Sequence, residues 1–264
     1  MRLPLPSDLP ASLQPLVSRN QQFLRDAVAA HPELDLNDCN AAQRHQFDQV
    51  AAASDFVLGV AQRDPAMLFA LLASGELERR YAPGELRGQI AAAAQAAQSE
   101  EELARNLRRA RNRQQVRIIW RDITRQAELG ETCRDLSDLA DACIDEAYQW
   151  LYPRHCQQFG TPIGNRSGQP QHMVVLGMGK LGAVELNLSS DIDLIFGFPE
   201  GGETEGVKRS LDNQEFFTRL GQRLIKALDP VTVDGFVFRV DMRLRPYGSA
   251  GALVLSFNAL EQYY

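Results

Sequence analysis

Three aspartates in the C-terminal half of the sequence could bind a divalent cation. Asp191 and Asp193 lie at the start of one apolar run, and Asp241 lies within a second, alternating run. Because alternate residues of a strand face the same side, Asp191 and Asp193 share one face while Ile192 turns into the core. Two neighbouring carboxylates repel each other unless a cation lies between them. Such a pair favours a hard metal ion bound through oxygen.

A glycine-rich turn comes just before these aspartates. Gly177, Gly179 and Gly182 follow an apolar run at 172–176, and Lys180 lies between the last two glycines. The backbone N–H groups of such a turn can hold phosphate. Three acids on two strands behind this turn suit nucleotidyl transfer, in which two metal ions ~3.5–4 Å apart activate the nucleophile and neutralise charge at the phosphorus. We therefore expect two Mg²⁺ (or Mn²⁺) ions held by the three aspartates.

The same glycines also match the dinucleotide-binding pattern G-x-G-x-x-G. Glu200 lies about 20 residues beyond them, where an acid that binds the ribose of NAD would stand. The stretch between Gly182 and Ser189 is short for a crossover helix, because a connection between parallel strands needs about a dozen residues or more. NAD binding is therefore the weaker interpretation. A P-loop is excluded because Val174 stands where its first glycine is required.

Two arginines flank the third aspartate. Arg239, Asp241 and Arg243 alternate along one predicted strand and should project from the same face. An acid between two guanidinium groups belongs either to a structural ion-pair ladder or to a metal and phosphate site. The residues alone leave both interpretations open.

Helical patterns fill the part of the chain that precedes these motifs. Apolar residues recur there at helical spacing, and the predicted helices cover 16–28, 41–62, 64–73, 85–98, 99–123 and 135–151. A glycine- and proline-rich stretch at 160–170 is predicted to be a linker or surface loop. Beyond it we expect strands at 172–176, 194–198, 236–242 and 252–255, and an amphipathic helix at 212–228. The predicted fold class is α+β, with a helical region at 1–160 and a domain with a small mixed sheet at 161–264.

An arginine-rich segment runs along the helix predicted at 99–123 and just beyond it. Its members are Arg105, Arg108, Arg109, Arg111, Arg113, Arg117, Arg121 and Arg125. We interpret the segment as a solvated face with intrahelical pairs to nearby acids. The alternative is a surface that approaches phosphate or an acidic partner.

The composition limits the classes of protein to which the chain can belong. Its 264 residues include 28 Lys+Arg and 34 Asp+Glu, and the net charge of −6 argues against a nucleic-acid-binding protein, since such domains are usually basic. No apolar run approaches the ~20 residues of a transmembrane helix. The first six residues lack the apolar stretch of a signal peptide. The four cysteines and four histidines show no metal-site spacing, so we expect four free thiols and a cytoplasmic location.

Two long motifs resemble those of the glutamine synthetase adenylyltransferase family, also called glutamate-ammonia-ligase adenylyltransferase. They are GMGKLGAVELNLSSDIDLIF at 177–196 and FRVDMRLRPYGSAG at 238–251. The resemblance implies a bifunctional enzyme with two nucleotidyltransferase units of the DNA polymerase β superfamily, one attaching AMP to a tyrosine of glutamine synthetase and the other removing it. The run Glu185-Leu186-Asn187, placed after a helical region, resembles the N-terminal, adenylyl-removing unit. Ala183 departs from the family, which commonly has a second glycine there.

The reaction that this resemblance implies is phosphorolysis. Inorganic phosphate attacks the α-phosphorus of the adenylyl-tyrosine on glutamine synthetase, and ADP is released. In this interpretation Asp191 and Asp193 ligate the metal ions and Asp241 completes the triad. The implied phosphate- and nucleotide-binding residues are Gly177, Gly179, Lys180, Gly182, Ser190, Arg243 and Arg245, of which the cations supply charge.

The implied partners are adenylylated glutamine synthetase, a PII-type signal protein, phosphate and ADP or ATP, with neither nucleic acid nor membrane. Two alternatives stay open. One is the same family working in the adenylylating direction, with ATP consumed and pyrophosphate released. The other is a catalytically silent regulatory module that binds a PII-type protein or glutamine. Because the family continues into a second catalytic unit and the chain ends at Tyr264, inside a predicted helix, we expect it to be part of a longer enzyme.

Overall fold

The computed structural model describes residues 11–35 and 40–264. The N-terminal segment that argued against a signal peptide, and Cys39, lie outside the described residues. The helices are α1 (Gln14–Ala30), α2 (Ala41–Ala53), α3 (Asp55–Arg63), α4 (Pro65–Ala73), α5 (Glu85–Gln95), α6 (Glu100–Ile123), α7 (Leu129–Phe159), α8 (Gly179–Gly182), α9 (Asn213–Leu228) and α10 (Phe257–Tyr263). The strands are β1 (Thr161–Gly164), β2 (Val174–Gly177), β3 (Ile192–Phe198), β4 (Gly202–Glu205), β5 (Val240–Asp241) and β6 (Val254–Ser256). Helices followed by small sheets confirm the predicted α+β class.

The chain folds as two compact units. The first comprises the described residues up to Leu86 together with Arg111–Leu136, and the second comprises Arg87–Ala110 and Ser137–Tyr264. Helices α6 and α7 each contribute residues to both units. Both sheets belong to the second unit, which also contains the helical residues of that unit.

The first unit is built from capped helices around an apolar core. The predicted helix at 41–62 is in fact two helices, because the Ser54 side chain accepts a hydrogen bond from Val57 N (3.3 Å) and starts α3 there. Asp64 caps α4 in the same way and Pro65 occupies its first turn, as predicted. The core is centred on Phe47 and Trp120, whose rings stack with centroids 6.4 Å apart.

Helix α6 buries four of the arginines that were predicted to lie on a solvated face. Arg108, Arg111, Arg117 and Arg121 are all buried. Within the first unit, Arg117 donates to the carbonyl oxygens of Glu76 (3.0 Å) and Arg79 (2.6 Å), and Arg121 donates to that of Leu77 (3.0 Å). The prediction is wrong for these four residues. For Arg117 and Arg121 the physical reason is that the non-helical backbone at 76–79 needs donors, and a guanidinium supplies several of them.

Strand β3 is the centre of the larger sheet in the second unit. It pairs antiparallel with β2, parallel with β5 at its N-terminal end and parallel with β6 at its C-terminal end. The predicted strand at 236–242 is therefore reduced to Val240–Asp241, because β3 offers that edge only at Ile192 and Asp193 before β6 takes over. The stretch 160–170 was expected to be a loop but contains β1, which pairs antiparallel with β4.

Helix α9 contributes a buried apolar face to the second unit. It is strongly amphipathic and buries Phe216, Phe217 and Leu220 among others. Asp212 is its N-cap residue, and the Asp212 side chain accepts a hydrogen bond from Gln214 N (2.7 Å). At its other end the side chain of Asp229 accepts a hydrogen bond from Val240 N (2.9 Å). The end of α9 therefore fixes the position of β5.

No single helix in residues 11–35 and 40–264 is long and apolar enough to cross a membrane. The bent pair α3 and α4, which meet at 106°, passes that test only when the two are combined. Of the four cysteines, Cys133, Cys143 and Cys156 form no disulfide bond in the described part of the chain.

Candidate functional site

The candidate site lies where β3 and β5 begin to pair. Their parallel register places Asp193 directly opposite Asp241, and Ile192 N donates to Arg239 O (2.9 Å) just before it. Ile192 is fully buried, as its place between two outward-facing acids predicted. Two of the three predicted acids are therefore nearest neighbours across a sheet ladder, and Asp191 lies one residue before β3.

The pKa values of Asp193 and Asp241 shift in opposite directions. Burial raises the pKa of Asp193, and the charges of Asp241 and Asp191 raise it further, while Arg243 acts against them. The pKa of Asp241 is lowered instead, chiefly because the Arg243 side chain and backbone N–H donate to it. The surroundings of Asp241 therefore stabilise its charged form, whereas those of Asp193 destabilise its charged form.

Two arginines contact the acids. Arg243 Nε lies 3.0 and 2.8 Å from the two oxygens of Asp241, and its backbone N–H donates to Asp241 Oδ1 (2.8 Å). Arg239 Nε lies 2.6 Å from Asp191 Oδ1, and its Nη2 donates to the carbonyl of Ser189 (2.6 Å). Of the ion-pair ladder that the sequence left open, only the Arg243–Asp241 pair forms, because Arg239 pairs with Asp191 instead.

The glycine turn folds back onto β3. Strands β2 and β3 are antiparallel with Gly177 opposite Leu194, and Met178 N donates to Asp193 O (2.9 Å). The turn therefore joins a hairpin-like pair, which excludes the parallel crossover of a dinucleotide-binding fold. Gly179 has φ +54°, and a Cβ there would lie 2.9 Å from Asp193 Oδ2. Only glycine leaves this acid unobstructed.

The remaining predicted residues divide between the turn and its surroundings. Lys180 is exposed, and its Nζ lies 3.5 Å from Ser190 Oγ, which itself donates to Asn187 Oδ1 (2.7 Å). A Cβ at Gly182 would lie 2.5 Å from Gly177 O, so this glycine permits the close closure of the turn. These contacts bring the predicted phosphate-binding residues of the turn next to the loop that leads to Asp191.

Two other residues have structural partners that the sequence did not indicate. Arg245 donates to the carbonyl oxygens of Met242 (2.7 Å) and Ser249 (3.5 Å), which holds the loop after β5. Glu200 accepts hydrogen bonds from the backbone of Arg166 (3.0 Å) and Ser167 (3.1 Å), which explains its lowered pKa. Glu200 therefore fixes a loop.

The donor set suits a hard divalent cation, but the side chains do not form a closed ligand cage. Within the described ranges, no group of three His, Cys, Asp or Glu side chains is arranged to hold a metal ion. The contacts give the reason: Arg239 forms an ion pair with Asp191, and Arg243 donates hydrogen bonds to both carboxylate oxygens of Asp241. The carboxylate chemistry fits a metal, provided that the arginines yield at least one oxygen of each acid.

Sequence reasoning did not assign three residues that position this site. Arg239 was noted only as a neighbour of Asp241, yet it contacts Asp191. Asn187 accepts hydrogen bonds from Ser190 Oγ and Ser189 N, and Asp229 holds the backbone of β5. Their signals are local: a polar residue in a turn, and an aspartate at a helix end. The signal at Asp229 does not identify Val240 as its partner.

Comparison with known proteins adds to this geometry. The model of the GlnE family, glutamate-ammonia ligase adenylyltransferase, matches residues 44–264. The chain is 92% identical over 264 residues to the bifunctional glutamine synthetase adenylyltransferase/adenylyl-removing enzyme of Pseudomonas putida, covering 100% of the chain and 27% of that protein. It is 70% identical over 267 residues to the enzyme of the same description from Pseudomonas syringae, again covering 100% of the chain and 27% of the relative. The relative from Shewanella oneidensis is 48% identical over 255 residues, covering 96% of the chain and 26% of that protein. The chain thus spans about a quarter of the length of the curated relatives that it matches.

Proposed function

This chain belongs to the glutamate-ammonia ligase adenylyltransferase family, and we propose that it carries one nucleotidyl-transfer site of such an enzyme. The observation that carries the proposal is the register of β3 and β5, which pairs Asp193 with Asp241 directly behind a glycine turn. The proposed fold of residues 161–264 is that of a DNA polymerase β-like nucleotidyltransferase. The domain proposed before it is the helical region at 1–160.

The proposed reaction is removal of AMP from adenylylated glutamine synthetase. An oxygen of inorganic phosphate forms a bond to the α-phosphorus, while the bond from that phosphorus to the tyrosine oxygen breaks. The products are ADP and a tyrosine whose oxygen takes up a proton. No covalent intermediate with the protein is needed, so the reaction requires positioning and charge stabilisation only.

Asp191, Asp193 and Asp241 would hold the Mg²⁺ or Mn²⁺ ions, two in number. When bound, the ions supply positive charge that favours the nucleophile and the leaving oxygen. The exposed Lys180 and Arg243 can contact phosphate oxygens without large rearrangement of the backbone. In this proposal the arginines that now neutralise the acids exchange a carboxylate for a phosphate.

Further phosphate and nucleotide contacts are proposed for Gly177, Gly179, Gly182, Ser190 and Arg245. Gly179 supports its part of the proposal because it presents no side chain towards Asp193. Arg245 would have to give up its carbonyl partners, so its assignment is the one that the contacts favour least. A PII-type partner and a cytoplasmic location complete the proposal.

The test is to incubate the chain with adenylylated glutamine synthetase, phosphate and Mg²⁺, and to follow the mass of the synthetase and the release of ADP. We expect loss of one AMP per modified subunit, dependence on the divalent ion and no activity in EDTA. Asp193→Asn should retain less than about a tenth of the activity, because a lost metal ligand costs several kcal/mol in the transition state. ADP release at the wild-type rate in Asp193→Asn would contradict the assignment.

The same assay separates the opposite direction of transfer. Incubation of unmodified synthetase with ATP and Mg²⁺ would give pyrophosphate and a mass gain of one AMP if the site adenylylates. The printed descriptions of the relatives include both activities. Pyrophosphate without ADP would overturn the proposed direction but leave the nucleotidyl-transfer site intact.

A further inference from the structure

Tyr247 presents an exposed aromatic ring in the loop that follows β5. It is 70% exposed, and its backbone φ of +61° lies in the left-handed region, which is unfavourable for a residue with a large side chain. Such strain persists only where the surrounding structure fixes it, and it is concentrated at sites that bind ligands. Burial of the ring contributes little to offset the strain, so the placement of Tyr247 calls for a functional explanation.

Tight turns hold this loop close to Asp241. The backbone N–H of Arg243 donates to Asp241 Oδ1 (2.8 Å), and that of Gly248 donates to Arg245 O (2.9 Å). A Cβ built on Gly248 would lie 3.6 Å from Arg243 O. The residue directly after Tyr247 therefore contacts the backbone of the arginine whose side chain pairs with Asp241.

Helix α10 shows on which side of the sheet the ring lies. The rings of Tyr247 and Tyr263 pack edge to face, with centroids 4.8 Å apart. Tyr263 lies one turn after Leu260, whose Cδ1 would be 2.9 Å from a Cβ built on Gly197. Gly197 and Asp193 are four positions apart on β3 and so face the same side. Helix α10, and with it the ring of Tyr247, therefore lies on the side of the sheet that carries Asp193.

One loop thus offers a cation and an aromatic ring on the aspartate side of the sheet. The Arg243 side chain is 78% exposed, and Tyr247 follows it by four residues. A nucleotide carries the matching pair of groups, because its phosphates are anionic and its base has a flat face on which an aromatic ring can stack. The two residues together suit a single bound nucleotide.

We propose that Tyr247 stacks on the adenine base of the nucleotide while Arg243 contacts its phosphates. The inference rests on the proposed nucleotidyl-transfer site and adds to it the residue that binds the base. Every base offers a face for stacking, so this contact supports affinity for the nucleotide rather than a choice among bases. The adenosine part is common to the adenylyl group and to ADP, so Tyr247 would bind both.

Binding of ADP to this chain tests the inference, with inorganic pyrophosphate as the comparison ligand. Both compounds carry two linked phosphates, but only ADP carries a base. In calorimetric titrations with Mn²⁺ present, we expect Tyr247→Ala to weaken ADP binding at least about fivefold and to leave pyrophosphate binding unchanged. Tyr247→Phe keeps the ring and should therefore retain the affinity for ADP.

A nuclear magnetic resonance measurement reports the contact itself. In a deuterated chain whose tyrosine rings alone are protonated, saturation of these rings should be transferred to H2 and H8 of the adenine. Tyr247→Phe should abolish this transfer while ADP still binds. If Tyr247→Ala does not fold, this measurement decides, because transfer that is absent from the wild-type chain or persists in Tyr247→Phe would overturn the inference.

Tyr264→Ala is the matched control, because Tyr264 is 77% exposed and its ring contacts Tyr263. It should leave ADP binding unchanged. Equal losses in Tyr264→Ala and Tyr247→Ala, or no loss in Tyr247→Ala, would overturn the role of Tyr247. Weakening of pyrophosphate as well as ADP in Tyr247→Ala would show that the residue only shapes the loop, which would also overturn it. If the wild-type chain binds neither compound, the nucleotidyl-transfer site fails together with the inference, so the two failures are distinguishable.

Discussion

Replacing Asp193 with asparagine is expected to stabilise the fold while it weakens cation binding. Asp193 faces Asp241 across paired strands, and neighbouring strands lie ~4.8 Å apart. Two unit charges at that spacing repel by about 1 kcal/mol even in water. Arg243 offsets part of this repulsion. We therefore expect Asp193→Asn to gain about 0.5 kcal/mol in the free energy of unfolding at pH 7, or about 1–2 °C in Tm for a chain of this size.

The pH dependence of that gain has a definite sign. The pKa of Asp193 is raised in the folded chain above its ordinary value of 3.8. Charging this residue therefore costs the folded state more than the unfolded state, and its destabilising effect is complete only above the raised pKa. The advantage of Asp193→Asn should be full at pH 7, shrink as the pH falls through the raised pKa and vanish below about 3.8, where the acid is neutral in both states.

The assay is urea unfolding followed by circular dichroism at pH 7 and at pH 4.5, together with calorimetric titration of Mn²⁺. Asp241→Asn is the matched control, because Arg243 lowers the pKa of Asp241 and its charge stabilises the fold. This variant should lose stability, whereas both variants should bind Mn²⁺ roughly tenfold more weakly or worse, since each removes an anionic ligand. A loss of stability in Asp193→Asn at pH 7 would refute the repulsion argument, and unchanged Mn²⁺ binding would refute the ligand role.

Three further outcomes are expected. Gly179→Ala should lower both the stability and the Mn²⁺ affinity, because its φ is +54° and its Cβ would lie 2.9 Å from Asp193 Oδ2. Gly75→Ala is the control: its φ is +72° but the space around its Cβ is open, so it should lower the stability by a similar ~1 kcal/mol and leave the Mn²⁺ affinity unchanged. Equal Mn²⁺ affinities in the two variants would contradict this reasoning. His155 has a pKa lowered to about 4 by burial and by Arg223, so part of the stability should be lost as the pH falls from 6.5 towards 4; urea midpoints of His155→Gln that fall just as steeply would show that another group is responsible. Val184 has φ +58°, an unfavourable conformation for a β-branched residue, so Val184→Gly should raise the melting temperature, and a lower value would show that the conformation is not strained.

The acids of the site could be predicted because their signals are local. Alternation along a strand places Asp191 and Asp193 on one face, and the burial of Ile192 between them agrees with it. The pairing of Asp193 with Asp241 could not be derived in the same way, since it joins residues that are distant in sequence and depends on the register of two strands. Register is determined by the whole hydrophobic pattern and by the adjoining connections.

The errors have related physical causes. Arginines along α6 were interpreted as a solvated face because a charge is normally exposed, but Arg117 and Arg121 satisfy carbonyl groups of a backbone segment some forty residues away. Strand β1 was missed because Pro162 and the glycines of the stretch 160–170 are typical of loops, yet a two-stranded pair tolerates proline at its edge. In both cases a partner that is remote in sequence overrides a local preference.

The short strand β5 has a consequence for how the site can fail. The backbone pairing of β3 with β5 sets the distance between Asp193 and Asp241, and β5 contributes only two residues to that pairing. A slip of one position would turn Asp241 to the opposite face of the sheet without changing any acid. The carboxylate of Asp229, at the C-terminal end of α9, accepts a hydrogen bond from Val240 N (2.9 Å) and so helps to fix the register of β5. Loss of the proposed activity can therefore arise from substitutions that keep all three aspartates but shift the pairing of the two strands.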